Sequence, residues 1–311
     1  MSLRIIEISE NGRHLQCERG FLVVKEKDSE LGRIPLDDMA ALVGSAKWMS
    51  YSHSVLQNLS KRNIPFIVCG ENCSPVGILW PIEGNYRQSK VMDAQIEASL
   101  PLKKRLWKSV VQSKIRQQSV ALEAVGYRRS SFDHYISKVK SGDPENIEAE
   151  VASRYWKLLF GADFRRDREE EGINTLLNYG YGIVRAAMAR AIMCAGLHPG
   201  IGIHHKNQNN PMRLVDDLME PFRPLVDIVA WFASKNEPIH LTRQVKAEFV
   251  SLLHLKLIGK SESSTCILHM RKLATSLAQV YLGEQSTMIV PPTALPLQLY
   301  KSYNNLRYGQ T

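Results

Sequence analysis

Residues 173–196, INTLLNYGYGIVRAAMARAIMCAG, decide the fold of the larger part of the chain. Nearly every residue of this stretch is apolar or small, which is typical of a helix buried on all its faces. The stretch therefore predicts a buried helix of about 20 residues that ends at Gly196. Its small residues would let other helices approach the backbone closely, and these are Gly180, Gly182, Ala186, Ala187 and Ala191.

Helical periodicity extends on both sides of this stretch and begins at about Arg87. Pro144 and Gly161 bracket a helix in PENIEAEVASRYWKLLFG, because proline favours the first turn of a helix and glycine its end. Amphipathic spacing predicts further helices, at residues 87–129, 214–233, 241–258 and 265–284.

The N-terminal part of the chain follows a different pattern. Short runs rich in Ile, Val, Leu and Phe alternate with glycines, which is typical of β-strands, and one helix in SHSVLQNLSKRN interrupts them. We therefore predict an α+β protein. Its parts would be a small β-rich domain at 1–84, a larger all-α domain at 85–290 and a mobile, proline-containing tail at 291–311.

The composition excludes global disorder and a membrane-spanning protein. Hydrophobic residues make up 44% and charged residues 23% of the 311 residues, which suffices for a buried core. No apolar run approaches the roughly 18 residues that a membrane span needs, and the first residues lack the apolar core of a signal peptide. The formal net charge of +9 suits a polyanion or an anionic membrane surface.

The five cysteines are few and scattered, which predicts reduced thiols in a cytoplasmic protein. Cys69 and Cys73 are four residues apart, but no second Cys or His pair completes a zinc site. Metal binding by these cysteines is therefore not expected.

Most of the surplus positive charge lies in residues 87–129, which contain ten Lys or Arg and three Asp or Glu. Apolar residues such as Leu106 and Val110 recur there at helical spacing, and the lysines fall mainly off this stripe. One interpretation is a solvated helix face, as for most runs of charge. The other is a helix that lies along phosphates, where each contact releases counterions and adds sequence-independent affinity.

Acidic residues and histidines meet in HHKNQNNPMRLVDDLME at 204–220. Asp217 and Glu220 are spaced i, i+3 on the predicted helix, so their carboxylates share a face, and His204 and His205 lie in the loop before it. Carboxylate oxygens with one imidazole suit Mg²⁺ or Mn²⁺ better than structural zinc. The alternative is structural, with the carboxylates as caps or dipole partners of a helix and the histidines as satisfied surface groups.

Four segments resemble the CRISPR-associated adaptation integrases, the "Cas one" family: EAEVASRYWKLLFGADF, INTLLNYGYGIVRAAMARAI, LHPGIGIHHKNQNNP and LVDDLMEPFRPLVD. In the pattern of this family, Glu148 matches a Glu that stands seven residues before an aromatic. His205 matches a His after a Gly-aliphatic turn, and Glu220 matches an acidic residue in DLME. RQSKVMDAQIEASLPLKKRLWKSVVQSKI also resembles the type II branch of the family.

The resemblance implies a metal-dependent DNA integrase and endonuclease of CRISPR adaptation. A 3′-hydroxyl end of new spacer DNA would attack a phosphodiester at the edge of a CRISPR repeat, with Glu148, His205 and Glu220 as the catalytic ligands of Mg²⁺ or Mn²⁺. Asp217 would orient His205 or a ligating water, or serve as a further ligand. Many relatives have Gly directly after the first Glu, whereas this chain has Ala149, so Glu150 is a rival for Glu148.

The resemblance also gives the basic region a role and implies partners. The residues expected to contact DNA backbones without reading bases are Lys103, Lys104, Arg105, Lys108, Lys114 and Arg116, with Arg165 and Arg166 as weaker contacts. The implied partners are double-stranded DNA, a second copy of the chain bound through the N-terminal domain, the small "Cas two" adaptation protein and the type II effector nuclease. Two alternatives stay open: a non-catalytic DNA-binding scaffold with a degenerate metal site, and a metal hydrolase of small phosphoesters.

Overall fold

Two four-stranded sheets form the N-terminal region of the computed structural model, which describes residues 4–70, 75–79, 81, 85–128, 130–235, 239–258 and 263–295. The strands are β1 Arg4–Ile8, β2 Arg13–Glu18, β3 Phe21–Glu26, β4 Ser29–Pro35, β5 Met39–Gly44, β6 Met49–Tyr51, β7 Phe66–Cys69 and β8 Pro75–Leu79. One sheet has the order β1-β5-β7-β8, and the other has the order β4-β3-β2-β6. Helix α1, His53–Lys61, links β6 to β7.

Local sequence explains the hairpin of β2 and β3. Arg19 and Gly20 form its two-residue turn with φ angles of 47° and 84°, the left-handed backbone that such turns require. Leu15 and Leu22 on the flanking strands are fully buried and pack with α1 residues such as Val55 in a small core between the sheets.

Helices dominate the rest of the chain, so the predicted α+β order is confirmed. They are α2 Gln88–Glu97, α3 Leu100–Ala124, α4 Ser130–Lys138, α5 Ile147–Phe160, α6 Ile173–Cys194, α7 Arg213–Met219, α8 Arg223–Ala233, α9 Arg243–Leu252 and α10 Cys266–Tyr281. A 3₁₀ turn, Glu220–Phe222, joins α7 to α8. The predicted boundary near residue 84 falls between β8 and α2, and most of the predicted mobile tail, residues 296–311, lies outside the described residues.

Helix α6 is the buried helix that its composition predicted, and α7, α8, α9 and α10 pack against it. A Cβ added at Gly180 would lie 2.5 Å from Val226 Cγ1 and 2.6 Å from Phe249 Cδ1. Only glycine permits this approach of α8 and α9, because real Cβ contacts are longer. The part of the chain that the structure describes contains no helix long and apolar enough to cross a bilayer.

Three helix predictions need correction. The basic segment is not one helix, because it breaks at Ala98 and Ser99, and the Ser99 hydroxyl caps α3. The 214–233 helix is interrupted by the 3₁₀ turn at Pro221, which lacks a backbone N–H. The 241–258 helix ends at Leu252, and Lys256–Ile258 is instead strand β9, paired with β10, Ser263–Thr265.

The two regions share one hydrophobic core. Ile5, Ala41 and Val43 of the first sheet belong to the same buried cluster as residues of α6, including Ile183. Strand β5 serves both cores, because all six of its residues are buried and Leu42 packs in the small core between the sheets. The β1-β5-β7-β8 sheet is therefore fixed against the helical region that carries Asp217 and Glu220.

Candidate functional site

Two of the predicted site carboxylates meet at one buried cation. Glu148 at the start of α5 and Glu220 in the 3₁₀ turn both form ion pairs with the ammonium of Lys114 on α3. Lys114 Nζ lies 2.6 Å from Glu220 Oε2 and closely contacts Glu148 Oε1. The side chains of Lys114 and Glu220 are less than a tenth exposed, and that of Glu148 is 26% exposed. Three separate elements therefore converge on one pocket.

Asp143 positions Glu148 by capping helix α5. Its Oδ1 accepts a hydrogen bond from Ile147 N at 3.0 Å, and its Oδ2 accepts one from Glu148 N at 2.9 Å. These are backbone donors that the first turn of a helix otherwise leaves without partners. Glu150, the rival of Glu148, is exposed, whereas Glu148 contacts Lys114 in the pocket, so the geometry favours Glu148.

Asp217 anchors the loop that carries His205. Its fully buried carboxylate accepts backbone hydrogen bonds from Ile203, His204 and His205 at 2.6, 3.0 and 3.3 Å, and Oδ1 lies 2.6 Å from His205 Nδ1. This hydrogen bond raises the pKa of His205 above its usual 6.5, although burial opposes the rise. Asp217 therefore fixes the ring through Nδ1 and leaves Nε2 as the nitrogen available to another group.

Two cations hold Glu220 in its charged form. Burial alone would raise the pKa of this carboxyl, but Arg223 and Lys114 outweigh burial and hold the pKa below its usual value. Arg223 Nε lies 2.9 Å from Glu220 Oε1. Burial would likewise lower the pKa of Lys114, but Glu220 and Glu148 raise it above its usual value. The cluster is therefore charged on both sides at neutral pH.

Lys114 lies in this pocket and not on the solvent face, where the sequence analysis placed it as a contact to DNA. It follows Val110 by one helical turn and precedes buried Ile115, so it lies on the packed face of α3. A lysine tolerates this position because two carboxylates from distant parts of the chain compensate its charge. The ion pairs engage this ammonium within the protein, which differs from the predicted contact with a DNA backbone.

The donor set fits a hard divalent cation, although the ligands are not assembled around one. Within the described ranges, no group of three or more His, Cys, Asp or Glu side chains is arranged to hold a metal ion. The buried Glu220 Oε2 lies 2.6 Å from the Lys114 ammonium, so it already meets a positive charge in this pocket, and carboxylate oxygens with one imidazole are typical ligands of Mg²⁺ or Mn²⁺. The His205 ring lies close enough to Glu220 for this carboxylate to raise the pKa of the imidazole.

Aromatic packing distinguishes the two neighbouring histidines. The His204 ring stacks on buried Trp107 of α3 with a centroid distance of 4.2 Å and an interplanar angle of 2°. Burial lowers the pKa of His204 below 6.5, against the effect of Asp217. Trp107 also contacts His205 edge-on at 5.9 Å. Sequence reasoning missed Trp107 because it reads locally as one more apolar residue of the α3 stripe.

A second buried network, formed by Tyr181 and Asp227, packs against Arg223. Tyr181 Oη donates a hydrogen bond to Asp227 Oδ1 at 2.5 Å, and the Arg223 guanidinium lies over the Tyr181 ring at 4.8 Å. Burial raises the pKa of Asp227 to about 7 despite the hydrogen bonds from tyrosines. The sequence signal for this network is an acidic residue, Asp227, inside the apolar run PLVDIVAWFA.

The remaining basic residues divide into surface and structural groups. Lys104, Arg105 and Arg165 are exposed, and Lys103, Lys108 and Arg116 are partly exposed. Arg166, by contrast, donates to Asn174 Oδ1 at 2.9 Å and to Asn178 Oδ1 at 2.7 Å, and it lies over the Tyr181 ring. Its guanidinium is therefore engaged in anchoring the loop between α5 and α6, which differs from the predicted DNA contact.

Comparisons with known proteins agree with one another. A family model described as CRISPR associated protein Cas1 matches residues 6–252. A CRISPR-associated endonuclease Cas1 of Neisseria meningitidis is 29% identical over 94% of this chain and 97% of its own length. A casposase bound to its integration product superposes with a TM-score of 0.76 at 19% identity, covering 92% of each chain. A Cas6-RT-Cas1–Cas2 complex superposes with a TM-score of 0.72 at 18% identity, over 92% of this chain and 36% of the other. At these identities the two solved structures establish similarity of fold.

Proposed function

This chain belongs to the CRISPR-associated Cas1 family, and from that premise we propose that it is a metal-dependent DNA integrase and endonuclease of CRISPR adaptation. It would join the 3′-hydroxyl ends of new spacer DNA to the CRISPR repeat by transesterification. The relative from Neisseria meningitidis is named an endonuclease, and the casposase of similar fold is bound to an integration product. Both names fit phosphodiester chemistry.

One observation carries the proposal: Glu148 and Glu220 reach the same buried pocket from separate elements, beside His205. Carboxylates are costly to bury, and such groups cluster where a site needs them. The N-terminal turns of α3, the helix that also carries Lys114, expose the positive charges of Lys104 and Arg105. Such a surface would position a DNA backbone without selecting its sequence.

The residues divide the proposed chemistry among them. Glu148, Glu220 and His205 Nε2 would hold a Mg²⁺ or Mn²⁺ ion, which lowers the pKa of the attacking hydroxyl and stabilises charge on the phosphate when bound. Asp217 holds the His205 ring through Nδ1, and Arg223 holds Glu220 through Oε1. With water as the nucleophile the same residues would support cutting of DNA.

Alanine substitutions at the three residues test the proposal. Glu148→Ala, His205→Ala and Glu220→Ala should each reduce joining and cutting of a branched DNA substrate in Mn²⁺ by at least about a hundredfold, while DNA binding changes little. Glu150→Ala is the matched control, because Glu150 lies two residues from Glu148 and is exposed. Normal activity in one of the three variants would remove that residue from the site, and loss in Glu150→Ala would exchange the roles of Glu148 and Glu150.

The same assays separate the two alternatives. A non-catalytic scaffold is favoured by the lack of an assembled ligand cluster in the described residues, and it would bind branched DNA without joining or cutting it. A hydrolase of small phosphoesters needs no basic surface, so its affinity for DNA would be weak and nearly independent of salt. Steep loss of DNA binding between low and moderate salt would count against such a hydrolase.

We also propose that the chain forms a homodimer through its N-terminal region and assembles with a Cas2 protein, and that the type II effector nuclease contributes to selection of DNA. The Cas2 component of the solved complex of similar fold supports the assembly with Cas2 alone. Trp48, directly before β6, and Val76 on β8 are 69% and 70% exposed and provide apolar surface in the N-terminal region. Light scattering of the chain alone and with Cas2 tests both assemblies. The proposed substrates place the reaction in the cytoplasm.

A further inference from the structure

The strongest feature that the proposed function leaves unexplained is a buried lysine between two proposed metal ligands. Lys114 Nζ contacts Glu148 Oε1 and Glu220 Oε2 at once, and the side chain is 9% exposed. We infer that the Lys114 ammonium and the divalent cation occupy the gap between these carboxylates in turn. Lys114 is then a positioning residue, which holds the ligands in place until the ion displaces its ammonium.

Charge balance explains why the ion-free protein needs this cation. Glu220 is buried and Glu148 is 26% exposed, and two carboxylates that face the same gap repel each other unless a counter-charge lies between them. Arg223 compensates only Glu220, through Oε1. Among the residues that the structure describes, Lys114 is the cation that contacts both carboxylates. It therefore keeps Glu148 Oε1 and Glu220 Oε2 directed at a common point.

Distances explain why the ammonium and the ion exclude each other. The oxygen ligands of Mg²⁺ lie about 2.0–2.1 Å from the ion, so an ion held by both Glu148 and Glu220 would have no room beside Nζ, which contacts both carboxylates. Two cations at such separation also repel strongly in a pocket of low dielectric constant. The lysine can leave because its ammonium sits on a flexible four-carbon stem. Arg223 can stay, because it contacts the other oxygen of Glu220.

A measurable consequence is that Lys114 weakens ion binding in the absence of DNA. An ion that binds only when Lys114 has turned aside has its apparent affinity reduced by the fraction of molecules in that state. If this fraction is about one tenth, removal of the ammonium should tighten binding about tenfold. A lysine that merely supported the ligands from outside the ion's position would have the opposite effect, because its loss would loosen them.

The experiment titrates Mn²⁺ into the full chain without DNA, by calorimetry and by the loss of the free Mn²⁺ electron paramagnetic resonance signal. Lys114→Met removes the charge, and Lys114→Gln removes it while keeping a hydrogen-bond donor. Lys108→Met is the matched control on the same helix, since Lys108 is partly exposed and outside the pocket. We expect about tenfold tighter binding in both Lys114 variants and wild-type affinity in Lys108→Met.

Each result decides the inference, which rests on the proposed function. Unchanged or weaker Mn²⁺ binding in the Lys114 variants, with binding by the wild type, overturns this inference and leaves the proposed function intact. No Mn²⁺ binding by any variant or by the wild type overturns the metal-dependent function as well. Circular dichroism checks folding, and if Lys114→Met does not fold without Mn²⁺, Lys114→Gln decides the question.

Discussion

At the scale of single residues, two adjacent histidines have opposite surroundings. His205 Nδ1 lies against the Asp217 carboxylate, whereas His204 stacks on Trp107. We therefore expect a nuclear magnetic resonance titration to give a pKa above 6.5 for His205 and below 6.5 for His204. Because the folded-state pKa of His205 is raised, its pairing with Asp217 stabilises the protein below about pH 6.5. That contribution is lost as the pH rises through the folded-state pKa.

Replacement of the carboxylate tests the cause of this difference. In Asp217→Asn the negative charge is gone, so the pKa of His205 should fall to 6.5 or lower while that of His204 stays below 6.5. Asp93→Asn, at an exposed position on α2, is the control and should change neither value. A His205 pKa that stays raised in Asp217→Asn would mean that another group holds the imidazolium.

Single residues also mark the limit of sequence reasoning. In the structure, Glu148 and Glu220 share Lys114 as an ion-pair partner, and Asp217 contacts His205. Their roles at a metal site stay predictions. Lys114 was predicted as a surface cation. The local sequence did not reveal its burial, because the carboxylates that compensate its charge lie 34 and 106 positions further along the chain. Local periodicity places a residue on a helix face, but it does not reveal which charges from distant segments meet that face.

At the scale of elements, the cap of α5 determines where Glu148 points. Both oxygens of Asp143 accept hydrogen bonds from backbone N–H groups in the first turn, one of them that of Glu148 itself. Asp143→Ala should lower the free energy of unfolding by about 1–2 kcal/mol, measured by urea denaturation. It should also reduce strand joining, because the turn that carries Glu148 loses its anchor.

Asp133→Ala provides the matched control for this prediction, since Asp133 is exposed in the first turn of α4. It should change stability by less than about 0.5 kcal/mol. Equal losses in the two variants would show that the cap contributes no more than an exposed charge near a helix start. Normal joining by a destabilised Asp143→Ala protein would separate the cap from the position of Glu148.

Element boundaries were predictable where local chemistry sets them and not where tertiary pairing does. Gly161 ends α5 as predicted. Strand β9 was predicted as helix, although Leu253, Leu255 and Leu257 alternate with His254 and Lys256 at the period of a strand. The competing helical pattern of α9 directly before it concealed this period, and pairing with β10 decides the outcome.

The prediction about DNA binding concerns the exposed first turns of α3. Changing Lys103, Lys104 and Arg105 together to Ala should weaken duplex binding. If all three contact phosphates, the slope of log affinity against log salt should become shallower by about 2.7, since each contact to B-DNA contributes about 0.9. Fluorescence anisotropy across a salt series measures both quantities. An unchanged slope would mean that this face of α3 is a solvated helix face and not a contact to DNA. In the control, Lys25, Lys27 and Lys61 are changed to Ala, which removes equal charge from the N-terminal region.

At the scale of the whole molecule, a shared core and a polar contact join the N-terminal sheets to the helices. Glu7 on β1 accepts hydrogen bonds from Ser45 Oγ at 2.6 Å and from Tyr179 Oη of α6 at 2.5 Å, and its carboxylate lies 3.5 Å from Lys246 Nζ of α9. Because Ile5 beside it belongs to the main core, the sheets and helices should unfold together. Differential scanning calorimetry should therefore give one transition for the wild type.

Glu7→Ala should lower the free energy of unfolding by about 2–3 kcal/mol, because it removes the shared acceptor of partly buried donors, yet the transition should remain single. Glu7→Gln keeps an acceptor and should lose less. Glu10→Ala is the control: Glu10 is 66% exposed and pairs with Arg13 at the surface, so its loss should amount to less than about 1 kcal/mol. A separate low-temperature transition in Glu7→Ala would mean that this contact, and not the shared core, couples the two regions. In that event, the arrangement of Lys114, Glu148 and Glu220 would not depend on the binding of a partner to the N-terminal sheets.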